Sequence, residues 1–123
     1  MINKLAVLHT LLAGLLVTAW FMGWLPILLA ADKYHAIPLI GGVTLVGIGM
    51  VARSAVEGAL WLADKLPAMG LAMTVTGLLW AANGLLGGGG VDTFKVDVIN
   101  ALVGNLMGIL GYLWLELVVK VAR

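Results

Sequence analysis

From Leu5 to Ala31 the chain carries no Asp, Glu, Lys or Arg. This run constrains the fold more than any other feature. An α-helix rises about 1.5 Å per residue, so roughly 20 apolar residues cross the roughly 30 Å hydrocarbon core of a bilayer. The run exceeds the apolar core of about 7–15 residues that a signal peptide uses. Leu29-Ala30-Ala31 is a weak cleavage match. The segment therefore reads as a retained first span, with a cleaved signal peptide as the alternative.

Three further apolar stretches follow, and together they predict an all-α membrane bundle of four transmembrane helices. The spans fall at approximately 5–30, 37–63, 68–86 and 98–119, within one membrane domain over 1–123. Composition agrees. Hydrophobic residues make up 63% and charged residues 11%, with a mean hydropathy of +1.12. Soluble domains run nearer half apolar and a quarter charged. Four spans leave only short loops, which excludes a separate soluble domain. Cysteine is absent, so disulfide and thiolate chemistry are excluded. A net charge of +1 with scattered basic residues gives no basic patch for nucleic acid.

The connections carry their own signals. Pro26 predicts a kink late in the first span, and Pro38 suits the start of the second helix. The second span turns amphipathic through Arg53, Glu57, Trp61, Asp64 and Lys65, as one long helix leaving the bilayer, and Pro67 punctuates it. Gly87–Gly90 reads as a flexible hairpin connection, with no Gly-Lys-Ser/Thr to make it a phosphate loop. With a cytoplasmic amino terminus, that side collects Lys4, Arg53, Lys65, Lys120 and Arg123, against Lys33 and Lys95 opposite. The positive-inside rule then places both termini in the cytoplasm.

Small residues mark the packing faces. Gly70, Thr74, Gly77, Ala81 and Gly84 repeat at helical spacing in the third span, and Ala101, Gly104, Gly108 and Gly111 do so in the fourth. In lipid, close approach of small residues drives much of helix association. Spans three and four are therefore expected as the inner pair, with spans one and two as a lipid-facing shell.

Polar residues at membrane depth are the candidate functional residues. A lone Thr74 is expected to bond the carbonyl four residues back. Asn105 brings donors and acceptors that one helix does not satisfy, so it faces a partner helix or a wet cavity, or glues two helices together. Arg53 with Glu57, and Glu116 with Lys120, are four apart and read as interfacial charge pairs. His9 reads as interfacial. No nucleophile–base pair, carboxylate dyad or metal-ligand spacing is present, so the sequence predicts no enzyme, no catalytic residue, no metal and no cofactor.

The second half carries a family resemblance. Leu66-Pro67-Ala68-Met69-Gly70-Leu71-Ala72-Met73-Thr74-Val75 resembles the Pro-x-x-Gly-Leu-Leu-Gly-Thr-Val stretch of the MotA/TolQ/ExbB proton-channel family. Asn100-Ala101-Leu102-Val103-Gly104-Asn105-Leu106-Met107-Gly108-Ile109 is similar to that family's Glu-Ala-Leu-x-x-Thr-Ala-x-Gly-Leu. The resemblance implies a pentamer around a pore occupied by a single-span partner that carries an acidic residue. It implies pore-lining roles for Thr74, Asn100 and Asn105. Asn105 stands where the family has its second threonine, Asn100 where it has an acidic residue, and Met73 where it has a glycine. No stretch of this chain corresponds to the family's large cytoplasmic domain.

The expected function is a small channel-like subunit of the bacterial inner membrane, whose partners are the lipid bilayer and further copies of itself. Two alternatives stand beside it: a phage holin-like lesion former, compatible with small size and short loops, and a non-conducting scaffold for a single-span partner. A small multidrug transporter is set aside, because the first span has no membrane-embedded carboxylate.

Overall fold

The computed structural model of the chain describes residues 3–123, and these residues are all-helical, in the order α1 (Lys4–Phe21), α2 (Trp24–Ala31), α3 (Ala36–Ala52), α4 (Val56–Leu86) and α5 (Val91–Ala122). Helices α1, α4 and α5 are each long and apolar enough to cross a membrane. Helices α2 and α3 form a further apolar pair, bent by 105° at the break between them.

Pro38 lies in the first turn of α3, as expected, but the other helix breaks do not fall where proline predicts them. The first apolar run divides at Met22–Gly23, because Gly23 takes the left-handed conformation (φ +82°) that ends α1. Pro26 then lies in the first turn of α2, where a missing N–H leaves no intrahelical bond unmade. The helix expected over 37–63 is also two helices. At its break the Ala55 N–H donates to the Met50 carbonyl at 2.8 Å and the Ser54 N–H to the Val51 carbonyl at 3.0 Å. These two bonds make a Schellman closure, with Ser54 at φ +64° in the position that glycine usually fills. Pro67, by contrast, sits inside the continuous helix α4. An interior proline costs an isolated helix about 3 kcal/mol, but neighbouring helices in a membrane bundle offset the loss.

Ser54 offers a direct check. A side chain in the left-handed region costs about 1–2 kcal/mol, part of which glycine returns to the unfolded chain as entropy. The expected result for Ser54→Gly is a gain of about 0.5–1 kcal/mol, read as a higher midpoint of thermal unfolding in mild detergent. An unchanged or lower midpoint would show that this turn does not hold its conformation in solution.

Packing is concentrated on α3, α4 and α5. Gly70 and Gly108 face each other across the α4–α5 contact: a Cβ built on Gly108 would lie 2.6 Å from the Leu66 carbonyl oxygen and 3.0 Å from the Gly70 Cα. A Cβ on Gly70 would strike the Gly104 carbonyl oxygen. Farther along, Gly77 faces Ala101, so the two helices run antiparallel over much of their length. Farther along the same stripe of α5, Gly111 receives Thr44 and Ile40 of α3 beside Leu66 of α4, and Leu115 fills the notch at Gly47. Ile40, Leu66 and Leu115 are fully buried at the centre.

Of the two spans expected outside, α1 is exposed within the single chain and α3 is not. No residue of α1 is buried, and Leu11, Leu15 and Phe21 are each more than 60% exposed. Helix α3 is core instead, burying Ala36, Ile40, Thr44, Gly47 and Val51. Gly84 also leaves the predicted seam, since a Cβ there would meet nothing within 4 Å.

The glycine run is an ordered cap. The Gly89 N–H donates to the Gly84 carbonyl at 3.0 Å and the Gly88 N–H to the Leu85 carbonyl at 3.2 Å, with Gly88 at φ +92°. Helix α5 begins directly after it. At the α2–α3 corner Asp32 caps α3, accepting from the Ala36 and Ile37 N–H groups at 2.7 and 2.9 Å. Lys33 pairs there with Asp97 of α5 at 3.2 Å.

Candidate functional site

Thr10, Thr18, Thr44 and Thr76 each donate to the carbonyl four residues back, as a helical threonine is expected to do. Thr74 does not, which corrects the expectation for it. Its hydroxyl crosses to α5, donating to the Ala101 carbonyl at 2.8 Å and accepting from the Asn105 N–H at 2.9 Å. Ala101 and Asn105 are the two ends of one i→i+4 step of α5. A single side chain of α4 thus engages both polar groups of one backbone step in its neighbour.

The glycines make this possible. Gly70 and Gly77 flank Thr74 on α4, and Ala101, Gly104 and Gly108 line the facing surface of α5. With any larger side chain at these contacts the short threonine arm would not reach. Thr74 is only 5% exposed and has spent both bonding directions on α5. By helix rise it lies about 27 Å along α4, and Asn105 about 21 Å along α5, so the pair sits near the middle of both long helices.

The remaining predicted residues separate. Asn105 is half-buried beside the bridge, and its carboxamide takes no hydrogen-bond partner among the described residues. Asn100 is also half-buried, but five residues along a helix is about 140° of rotation. The two carboxamides therefore point to different flanks of α5. Ala81, Ala101, Gly104, Gly108 and Gly111 are buried in the seam as expected.

The predicted charge pairs are not formed. Arg53 caps α3 while Glu57 lies in the first turn of α4, so the Schellman turn separates them. Glu116 accepts from the Tyr112 hydroxyl at 2.8 Å and makes no ion pair with Lys120. Tyr112–Glu116 is an i,i+4 pair on α5, visible in the spacing once a phenol is counted as a donor. His9 packs against Trp114 with ring centroids 6.1 Å apart. Its Nδ1 lies 2.8 Å from the Leu5 carbonyl oxygen, which can only accept, so Nδ1 is the donor in this contact.

The fold and this site define an all-helical protein with helices long and apolar enough to cross a membrane, built on a glycine-lined antiparallel pair closed by a threonine bridge. No protein-family model, no curated protein and no solved structure matches the chain.

Proposed function

We propose that the chain is the membrane-embedded subunit of a homo-oligomeric, channel-like assembly of the MotA/TolQ/ExbB kind, a pentamer in the bacterial inner membrane. In this reading α1 with α2 forms a first, broken span, and α3, α4 and α5 are the other three. Both termini are cytoplasmic. The Asn105 carboxamide faces the lumen, where it conducts ions or holds a single-span partner carrying an acidic residue.

The observation that carries this reading is the Thr74 bridge. It fixes α4 against α5 at the one step of the backbone from which Asn105 projects. A half-buried carboxamide near mid-helix is costly against hydrocarbon and is stabilised by a wet lumen or a polar partner. The arrangement of the helices supports the topology. Lys4 and Leu8 share a groove with Val121, whereas Trp24 and Ile27 face Ile99 and Leu102, so the first apolar run lies antiparallel to α5. The small-residue seam is filled within the chain by α5, which weighs against a scaffold that recruits its partner through that seam.

The test is ion flux in reconstituted vesicles together with a subunit count by native mass spectrometry. Five subunits with measurable flux, and loss of that flux in Asn105→Leu at unchanged stoichiometry, are the expected results. Unchanged flux in the variant would remove Asn105 from the lumen. A ladder of large, variable assemblies would move the assignment to a holin-like lesion former, and a monomer would end both pore readings.

A further inference from the structure

The two ends of the bundle carry opposite charge balances, with Lys33 and Lys95 against Asp32, Asp92 and Asp97 at the first end. There Lys33 is neutralised by Asp97, the one ion pair among the described residues. At the other end Lys4, Arg53, Lys65, Lys120 and Arg123 stand against Glu57, Asp64 and Glu116, and none of these five cations is in an ion pair among the described residues. Between α4 and α5 at this second end runs a groove walled by Leu60, Leu113 and Leu117, with Lys120 and Arg123 at its outer end. Glu116 is its one acidic residue; the Tyr112 hydroxyl donates to that carboxylate without cancelling its charge, so the groove holds two cations against one anion.

The groove is graded along the helix axis. By helix rise Leu113 and Leu117 lie about 14 and 8 Å from the end of α5, and Lys120 about 3 Å. An apolar wall toward the bilayer centre ending in a net positive charge has the polarity of a phospholipid with a net negative headgroup. Leu113, Leu117 and Lys120 lie about 60–120° around α5 from Asn105, on a flank adjoining that of the carboxamide and about two turns or more farther along the helix.

We propose that this groove seats one anionic phospholipid, its acyl chain along Leu60, Leu113 and Leu117 and its phosphate on Lys120 and Arg123. A free phosphate ion would use the two cations and leave the leucine wall idle. A zwitterionic lipid would use the wall and leave the surplus charge unanswered. The inference is independent of whether the assembly conducts.

The experiment is native mass spectrometry of the full chain in mild detergent, titrated separately with phosphatidylglycerol, phosphatidylcholine and inorganic phosphate. At about fivefold per surplus positive charge, two cations against one carboxylate give an expected preference of about fivefold for phosphatidylglycerol over phosphatidylcholine. Lys120→Gln with Arg123→Gln should abolish the preference. Leu117→Trp should lower phosphatidylglycerol retention with both cations intact, and Lys95→Gln, at the opposite end, should change nothing. Equal retention of the two lipids by the wild-type chain would overturn the proposal. So would an undiminished preference in the double variant, unchanged retention in Leu117→Trp, or binding of inorganic phosphate as tight as that of the lipid.

Discussion

Gly108→Ala is expected to destabilise the protein by about 3 kcal/mol or more, the upper end of the range for overpacking. The reason is the identity of the atoms in the way. A methyl group at Gly108 would lie 2.6 Å from the Leu66 carbonyl oxygen, 3.0 Å from the Gly70 Cα and 3.3 Å from the Gly70 nitrogen. All three are main chain of α4, so no side-chain rotation relieves the contact. The helices must separate, and separation carries the Thr74 hydroxyl away from Ala101 and Asn105. Gly84→Ala is the matched control. It adds the same methyl group to the same pair of helices, but into open space. There the better helix propensity of alanine should give a small gain, about 0.5–1 kcal/mol. Thermal unfolding of both variants in mild detergent, followed by tryptophan fluorescence, separates the two outcomes. Equal effects would mean that α4 and α5 do not approach at Gly108 as closely as the structure has them.

That contrast shows how much of the seam is legible in the residues themselves. Small residues repeating every three or four positions identify α4 and α5 as the close pair, because glycine is the residue that lets backbones touch in lipid. The repeat does not say where the contact stops. Gly84 continues the pattern of Gly70 and Gly77, yet its exposed surface faces away from α5 while its carbonyl accepts the capping bond from Gly89. The helix breaks were hidden for a related reason. Pro67 looks like a terminator but is absorbed within α4, whereas the true break at Arg53–Ala55 is set by a Schellman closure on a serine. Serine at φ +64° has no compositional signal, because glycine is the residue that usually marks such a position. Asn105 stood out by its chemistry. The role of Thr74 did not, because a threonine that bonds its own helix and one that bonds its neighbour have the same sequence context.

Thr74→Val is expected to cost about 1–2 kcal/mol, since it removes two interhelical hydrogen bonds while keeping the side-chain volume. Each such bond contributes about 0.5–1.5 kcal/mol net in water, and about 0.6 on average in a membrane bundle. The Ala101 carbonyl and the Asn105 N–H remain within reach of each other along α5, so the substitution strands neither group, and this keeps the loss below that of a buried unsatisfied pair. Thr74→Ser retains the hydroxyl and should recover most of the stability, giving back only the contribution of one methyl group. Thr74→Ala loses both the bonds and the volume, and should be the least stable of the three. This order, serine above valine above alanine, is the mark of a hydroxyl that joins two helices. If Thr74 instead served the lumen, valine would leave the unfolding midpoint near that of the wild type and act on flux alone. Measuring midpoint and flux on the same preparations separates the two roles. Because Asn105 is placed by the same bridge, a loss of flux in Thr74→Val that serine restores in parallel with stability would locate the effect in the positioning of α5 against α4.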